Sequence, residues 1–254
     1  MRQVKEYIRE IENKLCKFSG LKADAHDEFL GGYLNTKLRV LGVKVPLQRS
    51  VFRQGYSFSG LPFHEQLSLW NEIYHRAEVH EVKTQALYFV DTALKKESEE
   101  KIWLTIRGWV KSTDNWAHSD GLSSYYSRLQ EKLDEKVLKQ LQLWNRSDLL
   151  WERRQSVVSL LYYRRTRKKI PPYQVMLKLV ENLLDDEEYY VQKGVGWTLR
   201  ELWQVDAVRT EKFIEKNLNR ITAVAFTAAA EKMPASKKEK LKAKRKSSRR
   251  QKLS

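Results

Sequence analysis

Four residues of this chain have types and spacing that could do chemistry: Trp116 and Asp120 in Asn-Trp-Ala-His-Ser-Asp, Arg154 in Trp-Glu-Arg-Arg, and Trp197 in Gln-Lys-Gly-Val-Gly-Trp-Thr-Leu-Arg-Glu. A carboxylate stabilises positive charge as it develops and orients water. Indole faces attract cations, and a guanidinium grips phosphate oxygens. Such a set suits a surface that works on a polyanion such as DNA. Trp116 and Asp120 are four residues apart, so on a helix they share a face, one turn from each other. Arg154 interrupts an apolar stripe of Leu150, Trp151, Val157, Val158 and Leu161, where a guanidinium needs a partner. Gly194 and Gly196 bracket Val195 just before Trp197. Glycine inside a helix costs up to about 1 kcal/mol relative to alanine, which close approach of another backbone or access for a bulky ligand would justify. Plainer roles exist for all four. With eight Trp in the chain, Trp116 and Trp197 also suit a core; Asp120, preceding Gly121, suits a helix end or a pairing with a neighbouring Arg; Arg154 suits a structural ion pair.

The elements that must position these residues are helices. Ten Gly and five Pro are few for 254 residues, and apolar residues recur at helical spacing. Val4, Ile8, Ile11 and Leu15 make one stripe over residues 1–18, flanked by Lys5, Arg9, Glu12 and Lys14. Breaks fall at Ser19-Gly20, from Gly42 to Pro46, at Gly60-Leu61-Pro62, from Ser112 to Asp114, at Pro171-Pro172 and at Met233-Pro234. No alternating run is long enough to demand a sheet. Segments opening at His80, Asn115, Trp151 and Tyr189 are similar and lie about 35 to 38 residues apart, each after another helical stretch at 62–76, 98–110, 134–144 and 173–184. Paired helices at this period resemble HEAT-like repeats, in which stacked hairpins share one core and the second helices line a concave face. A nonrepetitive helical bundle is the alternative.

Charge points to a polyanionic partner. Lys plus Arg number 48 against 32 Asp plus Glu, a formal charge of +16. Residues 235–254 hold Lys237, Lys238, Lys240, Lys242, Lys244, Arg245, Lys246, Arg249, Arg250 and Lys252 against a single Glu, so the body stays basic without them. With little there to bury, this stretch is expected to be a disordered basic tail following a domain over 1–234. The one cysteine, Cys16, rules out an intramolecular disulfide framework and suits a reducing compartment. The charged opening and the lack of any apolar run near 18 residues predict neither signal peptide nor membrane helix, hence a cytoplasmic, nucleoid-associated protein.

Gly42-Val-Lys-Val-Pro, Trp116-x-x-x-Asp120, Trp151-x-x-Arg154 and Gln192-Lys-Gly-Val-Gly-Trp-Thr-Leu-Arg-Glu201 together resemble the AlkD-type alkylpurine DNA glycosylases, the DNA alkylation repair family, over most of residues 25–220. The last stretch is quite specific; Trp-x-x-x-Asp alone is weak. The resemblance implies an all-α, right-handed superhelical solenoid of HEAT-like (ARM-like) repeats. It also implies hydrolysis of the N-glycosidic bond of cationic N3- and N7-alkylated purines in duplex DNA, leaving an abasic site. Asp120 would be catalytic, Arg154 would contact phosphate, and Trp116 and Trp197 would pack against the deoxyribose. Arg153, Lys193, Arg200 and His118 are further candidate DNA contacts, Arg153 competing with Arg154 for the phosphate. The chain departs from the family pattern in having Ala117, His118 and Ser119 between the tryptophan and the aspartate.

Other chemistries find little support. His26, His64, His75, His80 and His118 show no zinc-ligand spacing, and no Walker loop or dinucleotide fingerprint occurs. No metal or cofactor is expected, and the protein is expected to act as a monomer on duplex DNA containing alkylated purines. The competing functions are a noncatalytic HEAT-like module that binds DNA or branched nucleic acid by shape, and a protein-binding scaffold.

Overall fold

A computed structural model describes residues 2–20, 25–162 and 164–251. Among the described residues all regular structure is helical, apart from a single parallel bridge between Arg39 and Val79. The chain divides into two compact units, residues 1–126 and 127–254. The first holds α1 (Arg2–Cys16), α2 (Glu28–Leu34), α3 (Val45–Gln54), α4 (Phe63–Arg76), α5 (His80–Ala93), α6 (Glu99–Ile106) and a 3₁₀ turn (Trp109–Ser112). The division falls within α7 (Trp116–Leu133). The second unit continues with α8 (Glu135–Trp144), α9 (Leu150–Leu161), α10 (Tyr173–Asn182), α11 (Tyr189–Val205), α12 (Ala207–Lys216), α13 (Ala223–Ala229) and α14 (Ala235–Gln251).

Local chemistry accounts for many of the boundaries. Asp27, Ser98, Asp206 and Thr222 each accept a backbone N–H from the first turn of α2, α6, α12 and α13, satisfying donors that a helix start leaves orphaned. Pro46 sits in the first turn of α3, where its missing N–H costs nothing. The helices that follow a partner in each pair, α5, α7, α9, α11 and α13, begin 34 to 39 residues apart. The expected period is therefore present, and α13 extends it by one repeat that the sequence pattern did not disclose.

The first unit is knitted by aromatic rings. Trp70 packs on Phe58 at 5.3 Å and on Phe89 at 5.7 Å, and Trp109 stacks on Tyr74 at 4.2 Å. Burying each such ring contributes about 2 to 3 kcal/mol. Trp70, Trp103, Trp109, Trp144 and Trp151 are all buried, whereas Trp116, Trp197 and Trp203 keep part of their surface in solvent. The plain core role thus describes five of the eight tryptophans and not the two singled out by motif.

In the second unit, glycine sets how closely α11 meets its neighbours. A Cβ on Gly196 would lie 2.4 Å from the Ala225 carbonyl oxygen and 2.8 Å from its Cα, so α13 approaches at backbone contact. At Gly194 a Cβ would meet Val158 at 3.1 Å and the Arg154 stem at 3.3 Å on α9. Close approach, rather than access for a ligand, is the structural reason for this pair.

The segment from residue 235 departs from expectation. It is helix α14 through Gln251 rather than a disordered tail, with Leu241 only 3% exposed. Composition offers little to bury, and one leucine on the inner face is enough; Lys252 lies outside the described residues. No helix among the described residues is long and apolar enough to cross a membrane.

Gly196→Ala is expected to lower stability by about 1 to 3 kcal/mol, the cost of overpacking against backbone that cannot yield. Gly108→Ala, where a Cβ meets nothing within 4 Å, is expected to be neutral or mildly stabilising. Urea unfolding of the two variants beside wild type checks both.

Candidate active site

Helix α7 is anchored from its buried side. Asn115 caps it: Oδ1 accepts the His118 backbone N–H at 2.9 Å, while Nδ2 donates to Asp114 at 2.8 Å and to His118 Nδ1 at 2.9 Å. With Nδ1 accepting, the neutral imidazole carries its proton on Nε2, which lies 3.1 Å from both the His80 carbonyl and Thr84 Oγ1. The ring stacks on His80 at 4.2 Å. Asp114 extends the anchorage by accepting from Thr36 Oγ1 and the Lys37 N–H, each at 2.8 Å. With His118, Ser119, Leu122 and Ser123 buried, Trp116 and Asp120 fall on the half-exposed side of the same helix.

Trp116 is oriented by a residue that periodicity did not mark. Its Nε1 donates to the Tyr33 carbonyl at 3.0 Å, and the two rings meet edge-on at 5.4 Å. Tyr33 is itself 63% exposed, so this corner of the first unit offers two aromatic surfaces beside a carboxylate. Glu81 was equally invisible. Its buried carboxylate accepts the Leu41 and Val43 N–H groups at 3.0 and 3.3 Å. That bond pins the Gly42-Val-Lys-Val-Pro loop to α5, Gly42 taking a φ of 70°. Burial raises the Glu81 pKa against the pull of those amides.

In the second unit Arg154 lies along α11. It is 7% exposed, and its Nη1 donates to the Tyr190 carbonyl at 2.8 Å. Trp151 packs on Tyr190 at 5.3 Å. Further along α11, Lys193 is exposed, and Trp197 is half-buried between Tyr162, stacked at 5.7 Å, and the Arg200 guanidinium, 5.7 Å from the ring centroid. Lys193, Trp197 and Arg200 follow helical spacing on one face. Arg200 is held by Glu201 at 3.3 Å and Glu231 at 2.7 Å, and Glu201 also draws in Arg164 at 3.7 Å and Lys232 at 3.8 Å. A cleft of about 410 Å³ between α11 and α13 opens beside Lys193, floored by Ala223 and Ala228.

Residues 17–233 match the family model of the DNA alkylation repair enzymes. The chain belongs to that family. Its fold is similar to that of a solved structure described as a predicted DNA alkylation repair enzyme from Enterococcus faecalis, at a TM-score of 0.70 and 16% identity over 86% of this chain and 99% of that one. It is also similar to AlkD2 from Streptococcus mutans, with a TM-score of 0.57 and 18% identity over 91% of this chain and 100% of that one. A third likeness, at 0.55 and 17% over 75% and 93%, is to smu.31 from Streptococcus mutans UA159. No curated protein matches the chain.

For this DNA alkylation repair protein, two of the expected DNA contacts are set aside by the geometry. His118 is 1% exposed, its ring spent on Asn115, Thr84 and the His80 carbonyl, so it is part of the anchor and does not face a ligand. Arg153 pairs with Asp186 at 2.6 Å and donates to the Ser147 and Asp148 carbonyls, which commits its guanidinium to holding the start of α9. Arg154, 7% exposed with Nη1 on the Tyr190 carbonyl, likewise carries a structural role, that of bracing α11. Among the described residues no group of three His, Cys, Asp or Glu side chains could hold a metal ion.

The imidazole stack makes the first unit acid-sensitive. Burial lowers the His80 pKa to about 4. Burial, and then the charges of His80 and Lys83, lower His118 well below its ordinary 6.5. Unfolded imidazoles take up protons near pH 6.5 while the folded ones stay neutral, so stability present above pH 6.5 is lost as the pH falls towards 4. A shift of the His80 size corresponds to about 3 kcal/mol. The urea midpoint is expected to fall steeply between pH 7 and 4.5, and less steeply in His118→Gln once each variant is referenced to its own value at pH 7.

Proposed function

We propose that this protein is a DNA glycosylase that hydrolyses the N-glycosidic bond of cationic N3- and N7-alkylated purines in duplex DNA, acting as a monomer and leaving an abasic site. The observation that carries the reading is the presentation of Trp116 and Asp120, one turn apart, on the half-exposed face of a helix whose other face is locked, in a chain of the DNA alkylation repair family.

A purine alkylated at N3 or N7 already bears a positive charge. When its bond to C1′ breaks, the bonding pair leaves with the base, which departs neutral and needs no general acid. Positive charge passes to the sugar; water then adds at C1′ and gives up a proton. Asp120 stabilises that oxocarbenium character and orients the water, as carboxylates do in glycoside hydrolysis. At about 4 Å and an effective dielectric near 20, a unit charge pair is worth roughly 4 kcal/mol, on the order of a thousandfold in rate. The accessible face of Trp116 adds attraction for the same cation, and Trp197 offers a further indole face on the second unit. Lys193 and Arg200 supply phosphate contacts from α11, Arg200 by exchanging its exposed partner Glu231 for a phosphate, and Arg154, buried with Nη1 on the Tyr190 carbonyl, braces α11 behind them. Lesion choice then follows the lability of the cationic bond more than any reading of base edges.

Asp120→Asn is expected to abolish release of free 7-methylguanine and 3-methyladenine from methylated duplex DNA, measured by chromatography against spontaneous depurination, while duplex affinity stays within about twofold of wild type. Wild-type protein that binds the duplex without releasing base would instead identify a noncatalytic module that recognises DNA by shape.

A further inference from the structure

We propose that the outer face of α14 is a phosphate-binding surface for duplex DNA, held in a fixed position on the second unit. The proposal rests on the DNA-directed reading above, and concerns affinity rather than base release.

The helix sorts its charges. On the inner face Lys237 pairs with Glu211 at 2.6 Å and Lys244 with Glu215 at 2.7 Å, both acids belonging to α12. Arg245 donates to the Ile221 carbonyl at 2.8 Å and lies over the Phe226 ring at 5.0 Å, while Leu241 is buried between these contacts. Those cations are spent on docking. Lys240, Lys242 and Lys246 are exposed. Among the described residues Lys242 pairs with Glu239 of its own helix, at 2.8 Å, a solvent-exposed pair worth little. Among the described residues Lys240 and Lys246 form no ion pair within 4 Å, Lys240 acting on Glu211 only at longer range.

A helix that dense in like charge repels itself, and the intrinsic remedy would be to melt. Docking through Leu241 and Arg245 keeps it straight instead, so at 1.5 Å per residue the outer lysines span roughly 9 Å. Duplex DNA presents about one phosphate per 1.7 Å of axis, ample to meet each of them. The other large polyanion, a lipid surface, is disfavoured by the same face: its remaining residues are Ser236, Glu239, Ala243 and Ser247, and an interfacial helix needs Trp, Phe or Leu there.

The test uses the full chain and an undamaged 20-base-pair duplex, with affinity read by fluorescence anisotropy between 50 and 200 mM salt. The triple variant K240Q/K242Q/K246Q is expected to flatten the slope of log K against log salt by about 2 to 3, at roughly 0.9 per phosphate contact, and to bind at least tenfold more weakly at 100 mM. Leu241→Pro, which keeps every lysine but breaks and undocks the helix, is expected to weaken binding comparably. An unchanged slope in the triple variant overturns the proposal, as does wild-type affinity in Leu241→Pro, since a loose polycation would then suffice. Loss of binding to phosphatidylserine vesicles with duplex affinity intact overturns it too. Failure of the glycosylase reading looks different: binding and its salt slope persist in wild type, and no base is released.

Discussion

The neutral imidazole of His118 joins Asn115, Thr84 and the His80 carbonyl in one buried network, and the orientation of α7 depends on it. A helix fixed on one side by a cap and a ring stack has no freedom to roll, so the residues a turn apart on its other side keep their aim. The network is buried, which is why its rings hold no proton near neutral pH. Lys83, buried beside the stack with its ammonium on the Ser112 carbonyl, has its pKa lowered by burial as well; its nearness discourages protonation of the imidazoles further. The structural polar groups of this helix are thereby turned inward, and Trp116 and Asp120 stay on its half-exposed side.

The second unit solves a different problem, that of bringing α9, α11 and α13 close enough to act as one body. Two glycines remove the side chains that would keep the backbones apart, and Arg154 crosses the gap at Gly194 to bond the Tyr190 carbonyl. An arginine in an apolar stripe is thereby a brace as well as a candidate cation. The same helix presents Lys193, Trp197 and Arg200 outward, so the close packing and the presentation of the polar face come from alternate positions of one sequence motif.

Charge is distributed with similar economy. Many of the basic residues on the second unit are paired: Arg153 with Asp186, Arg200 with Glu201 and Glu231, Arg220 with Asp185, and the inner lysines of α14 with α12. Net positive charge therefore understates how unevenly the available cations are placed. A polyanion would meet the exposed, weakly engaged ones, Lys193 on α11 and Lys240, Lys242 and Lys246 on α14, before it competed for any bridged guanidinium.

Helical periodicity, the repeat spacing and the motifs that resemble the DNA alkylation repair family were legible in the sequence because each depends on residues near one another along the chain. The breaks at Gly60-Leu61-Pro62 and Pro171-Pro172 and the pairing of Trp116 with Asp120 on one helix face follow from local stereochemistry alone. What lies across 30 to 80 residues was not legible. Tyr33 beneath Trp116, Glu81 under the Gly42 loop, Asp186 on Arg153 and the burial of His118 have no periodic signature, since a contact between distant segments is specified by packing and not by spacing. Composition likewise reads residues 235–254 as a disordered tail, yet a single leucine and two lysine–glutamate pairs dock residues 235–251 as a helix. The sequence by itself determined which elements form and which residue types could react; only the tertiary structure decided which polar groups are consumed in holding the fold and which remain to face a ligand, because burial and partnership are properties of neighbours in space.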